Sequence, residues 1–351
     1  MNRPFVASAL LTLIVLGASL RIFAEGSRPE HSRIPFQRGM ALADHIGRHD
    51  HPGGVESVRR LRELGCDWIQ ISPFAYQEDV TLPELKFRDF TPTMTAYFDS
   101  LRALGFHVLL KPDVWSRQFW SGEVWRGDIR MKSEQDWKEW FHNYDEYILS
   151  QAKLAEREQV EMFCIGLEYV AATAERPRDW RALIRDVRAV YSGPITYAAH
   201  GIADAESISF WSDLDAIGVN LYPDLCETPV SSPEQLGAAW KPVCESLERL
   251  SRKWQRPIVL TEIGFSSTVA AANDPWRWVR DEDTPNESEQ AYCYEAAFRA
   301  LWNEPWLRGI YWWKWFIEPE AGGAGDNSFT PQGKAAAEVL ARWYRSPHKG
   351  D

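Results

Sequence analysis

A short pattern occurs twice and limits the folds open to this chain. Leu61-Arg62-Glu63-Leu64-Gly65 recurs as Leu101-Arg102-Ala103-Leu104-Gly105, and each copy runs directly into an apolar stretch. Leu and Arg at the end of a helical pattern, a closing glycine and then a run suited to a buried strand make the joint of a repeated βα unit of about forty residues. Such units bury their strands on both faces, so they build parallel sheets or barrels covered by helices.

The strands that follow carry carboxylates at their C-terminal tips. Pro257-Ile258-Val259-Leu260-Thr261-Glu262-Ile263-Gly264-Phe265 is apolar and β-branched up to Glu262, and Gly264 then lets the backbone turn away. Val160-Glu161-Met162-Phe163-Cys164-Ile165-Gly166-Leu167-Glu168-Tyr169 repeats the arrangement with Glu168. A charge at the end of a buried strand is costly unless it is used. Two such carboxylates fit the mouth of a barrel that does acid/base or nucleophilic chemistry. The chain has 351 residues, which suits one (β/α)8 TIM barrel in a single α/β domain. Eight candidate strands can be placed along it, beginning near Ile34, Cys66, Phe106, Val160, Ile195, Ala216, Pro257 and Gly309.

The motifs resemble those of retaining glycoside hydrolases of the (β/α)8 clan of mannanases and cellulases, and above all glycoside hydrolase family 113, whose members are endo-β-1,4-mannanases. Phe163-Cys164-Ile165-Gly166-Leu167-Glu168 matches the acid/base strand, and Leu260-Thr261-Glu262-Ile263-Gly264-Phe265 matches the nucleophile strand. Leu109-Leu110-Lys111-Pro112 and Tyr311-Trp312-Trp313-Lys314-Trp315 add to the likeness, which spans about residues 34 to 345. The resemblance implies a glycosidase acting on a β-linked glycan, with Glu262 as nucleophile and Glu168 as acid/base. It also implies that Tyr222 hydrogen-bonds the nucleophile, and that Trp313 or Trp315 floors the sugar site. On that reading Glu168 must hold a proton near neutral pH, so its pKa is expected to be raised by burial or by the second carboxylate. Two departures touch the substrate more than the chemistry: Leu167 stands where many clan members carry Asn, and Asp113 where the family pattern suggests His.

Other expectations come from the residues alone. Strand six, Ala216 to Pro223, delivers Asn220 and Tyr222 to the mouth, and strand five ends at His200. Both Asn220 and His200 are candidates for sugar hydroxyls or for packing. Lys111 ends strand three and either binds substrate or pairs with Asp113 or Glu123. On an alternating strand, Trp313 and Trp315 share one face and Trp312 takes the other. Residues 114 to 132 read as a long loop carrying Trp115, Phe119, Trp120 and Trp125, an aromatic rim for sugar. The chain holds 18 Trp, and these serve either the core or sugar stacking. A helix from Gly54 is expected to turn Val55, Val58 and Leu61 inward.

A net charge of −11 with no Lys or Arg run argues against nucleic acid. Arg3 followed by an apolar run over residues 4–20 predicts that residues 1–24 are a secretory signal, which would place the mature protein outside the cytoplasm, secreted or periplasmic. An uncleaved membrane anchor is the other reading, and residues 25–351 form the catalytic domain in either case. No cofactor or metal is expected. The loop with Asp44, His45, His49, Asp50 and His51 fits no known metal spacing, and the five cysteines give no basis for a disulfide. A catalytically silent glycan-binding barrel, or a membrane-tethered scaffold, is the alternative to the hydrolase.

Overall fold

The computed structural model describes residues 34–43, 54–88 and 91–348. The expected signal, residues 1–24, and the expected His-bearing loop, residues 44–51, therefore lie outside the described residues. In chain order the elements are β1 (Gln37–Leu42), α1 (Gly54–Glu63), β2 (Trp68–Ile71), β3 (Phe74–Tyr76), α2 (Thr91–Ala103), β4 (His107–Leu110), β5 (Asp113–Trp115), α3 (Glu134–Arg157) and β6 (Met162–Leu167). There follow α4 (Val170–Glu175), α5 (Pro177–Val190), β7 (Ile195–His200), α6 (Gly201–Ser207), β8 (Ile217–Leu221), α7 (Gly237–Trp254), β9 (Ile258–Ile263), α8 (Glu287–Leu301), β10 (Leu307–Trp315) and α9 (Ala335–Tyr344). Eight strands close a parallel barrel in the order β1-β10-β9-β8-β7-β6-β4-β2, the (β/α)8 architecture expected.

The repeated joint folds the same way twice. Gly65 N–H donates to Arg62 C=O at 3.0 Å and Cys66 N–H to Leu61 C=O at 3.1 Å; Gly105 and Phe106 repeat these bonds to Arg102 and Leu101 at 2.9 and 3.1 Å. This paired closure needs a left-handed residue, and glycine supplies it at φ 95° and 80°. Every residue of β6, β8 and β9 is buried, as strands under helices on one face and a filled barrel on the other must be. Ser133 and Asn286 cap α3 and α8 by accepting from Asp136 N–H at 3.1 Å and Glu289 N–H at 3.2 Å.

An aromatic block fixes the barrel wall beneath β6 and β7. Trp180 is fully buried. It stacks on Tyr169 at 6.1 Å and on Phe210 at 5.8 Å between ring centroids, and meets Tyr144 and Tyr197 edge-on. Aromatics of α3 join this core, where Trp140 stacks on Tyr144 at 4.7 Å.

Three details differ from the sequence reading. Val55 is 45% exposed, because the inward face of α1 runs through Val58 and Leu61 and leaves the first turn at the edge. The stretch after Lys111 is not bare loop: Asp113–Trp115 pairs in parallel with Phe74–Tyr76, and turns of 3-10 helix follow at Arg117–Ser121 and Arg126–Asp128. Finally, Trp313 and Trp315 do not share a face. The register of β10 against β1 runs from Ala41↔Trp313 directly to Leu42↔Trp315. That extra residue shifts the alternation by one. Trp312 and Trp315 then both point back to the helices, Trp312 stacked on Tyr294 at 3.7 Å and Trp315 donating from Nε1 to Ser57 Oγ at 2.9 Å.

Candidate active site

Because all barrel strands are parallel, their C-terminal ends gather at one mouth, and the expected residues arrive there from β4, β6, β7, β8 and β9. Lys111 follows β4, Glu168 follows β6, and His200 ends β7. Asn220 lies in β8 with Tyr222 just beyond it, and Glu262 lies in β9. Asn220 is in register with His200 on one side and with Glu262 on the other.

Glu262 is held by two donors. Lys111 Nζ lies 2.5 Å from Oε1, and the Tyr222 hydroxyl donates to Oε2 at 2.9 Å. Lys111 is fully buried. Its ammonium also meets the Gln70 carbonyl oxygen at 3.0 Å when the Gln70 amide is turned to donate to Thr261 C=O at 2.6 Å. One donor on each oxygen fixes the direction of the Glu262 carboxylate. Burial, and then the Glu262 charge, push the Tyr222 hydroxyl well above its ordinary pKa, which keeps it a donor.

Glu168 has a different set of neighbours. Asn220 Nδ2 donates to Oε1 at 2.9 Å, His200 Nδ1 stands 3.2 Å from the same oxygen, and Arg126 Nη1 donates to Oε2 at 3.0 Å. Arg126 Nη2 meanwhile donates to Asp113 Oδ2 at 2.9 Å. The backbone here is equally fixed: Glu168 N–H donates to Ala198 C=O at 2.8 Å, Tyr169 N–H donates to the Tyr197 hydroxyl at 2.7 Å, and Glu168 itself sits at φ 56°.

The expected rise in the Glu168 pKa is not what the structure shows. Burial does push it up, but the His200 hydrogen bond, the Arg126 charge and the Asn220 amide together bring it below the usual carboxylate range. Burial pulls the His200 imidazole down, and Glu168 more than offsets this and raises it. The pair thus sets a Glu168 carboxyl whose ionised form is favoured 3.2 Å from a His200 imidazole whose protonated form is favoured. Burial raises Asp113 while Arg126 and then Lys111 oppose the rise. The aspartate found in place of the expected histidine anchors a guanidinium.

Asn220 links the two carboxylates, since its Oδ1 accepts from Thr261 Oγ1 at 2.9 Å, on the residue before Glu262. Trp313 is half-buried at the mouth beside Gly264, where a Cβ would fall 2.7 Å from the Trp313 carbonyl oxygen. Trp115 forms part of the rim, edge-on to Phe119 at 5.5 Å and to the 75% exposed Trp120 at 6.0 Å. Trp315 is only 3% exposed and turned toward α1, so the structure removes it from the sugar-contact set. The sequence reading passed over Arg126, Gln70 and Thr261. It counted Trp125 only as one more loop aromatic, whereas the ring lies 4.4 Å from the His200 ring. The one signal for Arg126 was its place beside Trp125 in the aromatic segment.

Among the described residues no group of His, Cys, Asp and Glu is gathered as a metal site requires. No described helix is long and apolar enough to cross a membrane, and all five cysteines are free thiols.

Comparison with known proteins places this geometry in a family. The sequence profile of Glycoside Hydrolase Family 113 matches residues 41–334. Among solved structures, the GH113 β-mannanase AaManA from Alicyclobacillus acidocaldarius, in complex with ManMIm, superposes with a TM-score of 0.78 at 27% identity, covering 88% of this chain and 97% of that one. A GH113 β-1,4-mannanase solved as a complex gives 0.79 at 25% identity, covering 89% and 100%. The β-glucuronidase of Ruminococcus gnavus, at 16% identity and TM-score 0.60, covers 88% of this chain and 50% of that one, and shares the barrel fold alone. No curated protein sequence matches.

Proposed function

This chain belongs to glycoside hydrolase family 113, and from that premise we propose that it cleaves β-1,4-mannan with Glu262 as nucleophile and Glu168 as acid/base. The observation that carries the assignment is the contrast between the two carboxylates. Glu262 meets a lysine and a phenol, one on each oxygen, which hold it in place for attack. Glu168 instead faces the His200 imidazole 3.2 Å away, a titratable partner with which it can exchange a proton. Glu262 attacks the anomeric carbon as the bond to the leaving oxygen breaks. The proton held on the His200–Glu168 pair passes through Glu168 to that oxygen. In the second step Glu168 takes a proton from water, and the water oxygen displaces Glu262 with net retention. Asn220, Trp313 and Trp115 would contact the sugar chain. Support for β-mannan comes from the two family members matched above.

The test is reducing-sugar release from β-mannan, with the anomeric signal of the first product followed by proton NMR. β-Anomer appearing before mutarotation is expected. First appearance of the α-anomer would overturn the retaining roles, and no release from any β-mannan would overturn the substrate.

The apolar run at residues 4–20 supports a reading of export by a cleaved signal. Mature protein from the native host should then begin near residue 20 or 25, whereas recovery of an intact Met1 would favour an anchor.

A further inference from the structure

Lys314 follows Trp313 at the end of β10 and is half-buried. Its ammonium lies 4.9 Å from the Phe316 ring centroid, 5.3 Å from Trp313 and 5.5 Å from Trp278. Among the described residues no carboxylate comes within ion-pair range of it and no acceptor takes its protons. The other strong cations of the mouth are neutralised: Lys111 by Glu262, and Arg126 by Glu168 and Asp113. In a chain of net charge −11, a cation left without a counter-ion at the rim of the cleft is an exception.

Three aromatic faces attract an ammonium but do not neutralise it, and a partly desolvated charge without a partner is unfavourable. Burial lowers the Lys314 pKa against the opposing field of Glu262, which is consistent with a charge that lacks its counter-ion. Trp278 is 65% exposed and stands as an outer wall against which a sugar ring can stack while a group on that ring reaches Nζ.

We propose that Lys314 is a specificity-determining residue that receives a sugar carboxylate, so that the preferred substrate is a mannan-type chain bearing acidic substituents. The proposal rests on the glycosidase reading above and narrows its substrate class. A carboxylate at this position completes an ion pair inside an apolar box, and a neutral sugar leaves the ammonium unpaired.

The experiment compares kcat/KM on four β-1,4-manno-oligosaccharides of equal length: unsubstituted, glucuronosyl-substituted, the methyl ester of the glucuronosyl form, and a pyruvate-ketal form. The acid is expected to exceed its own methyl ester about tenfold or more, and whichever of the uronosyl and pyruvyl forms gains more identifies the source of the carboxylate. In Lys314→Met the acid-to-ester ratio should collapse toward one, while Lys314→Arg should keep much of it, and added salt should lower it. Binding of the same acid and ester to Glu262→Gln, read by calorimetry, supplies a measure that needs no turnover. Equal values for acid and ester in the wild type, or a ratio that survives in Lys314→Met, would overturn the proposal. If neutral mannan is cleaved without acidic preference, this inference alone fails. If none of the four is cleaved or bound, the mannan reading fails with it.

Discussion

The guanidinium of Arg126 lies 3.0 Å from Glu168 Oε2 while its other terminal nitrogen is held by Asp113. One flat cation thus fixes both the charge and the direction of a carboxylate that must later carry a proton. Arg126→Met should lower kcat/KM on mannan by about 10–100-fold, and it should also move the alkaline limb of the pH profile upward, because removing a positive charge makes the His200–Glu168 pair hold its proton more firmly. Arg126→Lys should not restore activity, since a single ammonium cannot bridge both carboxylates. A limb that stays in place would mean that Arg126 serves only to hold the loop.

His200→Gln removes the imidazole whose pKa Glu168 raises. Glu168 alone, still beside Arg126, releases a proton more readily than the pair does. The alkaline limb should therefore move down by about one pH unit or more for substrates with poor leaving groups, and should move little for dinitrophenyl glycosides. Stability should follow the same pair. The depressed Glu168 contributes above its unfolded pKa of about 4.3 and loses that contribution as pH falls through its folded value. The raised His200 contributes fully below about 6.5 and loses it as pH rises through its folded value. The Tm difference between wild type and His200→Gln should thus be largest between those two values.

Small anions separate the two proposed carboxylate roles. Azide can replace water without a base and fits the space left by Glu168→Ala, so it should restore turnover of activated β-glycosides and give the β-glycosyl azide. In Glu262→Ala it should give at most the inverted α-azide. Product stereochemistry by NMR decides, and exchanged behaviours would reverse the assignment.

Tyr222→Phe removes one of the two donors on Glu262 and leaves Lys111 in place. Losing a buried hydrogen bond to a charged group costs roughly 1.5–3 kcal/mol, so kcat should fall on the order of 10–100-fold with only a small change in KM. Single-turnover kinetics should locate the loss in formation of the covalent intermediate.

Trp180 supports the strand that ends at Glu168 without approaching substrate. Trp180→Ala opens a cavity among Tyr144, Tyr169, Tyr197 and Phe210 and should cost about 3–5 kcal/mol in denaturant unfolding. A loss below about 1 kcal/mol would show that the ring stack is not a support.

Barrel, strand order and both carboxylates could be read from the chain because each depends on local pattern: an apolar run, a helix-closing glycine, a charge at a strand tip. Lys111, Asn220 and Tyr222 followed because a strand's last residues have one place to go. Arg126 could not be read this way. Its role exists only once the segment after β5 folds back over the mouth and Asp113 turns to meet it, contacts across 13 and 42 residues of sequence. The faces of Trp313 and Trp315 were misassigned for a related reason: the alternation rule assumes unbroken pairing, and one unmatched residue against β1 reverses it. The shift in the Glu168 pKa was misjudged because its sign is set by neighbours from separate segments.

The left-handed backbone at Glu168 carries a further meaning for any attempt to make this protein hardier. A side chain in that conformation costs on the order of 1 kcal/mol relative to glycine, and the bonds from Arg126, Asn220 and His200 offset that cost only while position 168 is a carboxylate. A stabilising library should therefore spare position 168, since glycine there would relax the backbone but leave the Arg126 guanidinium and the buried Asn220 amide without this acceptor.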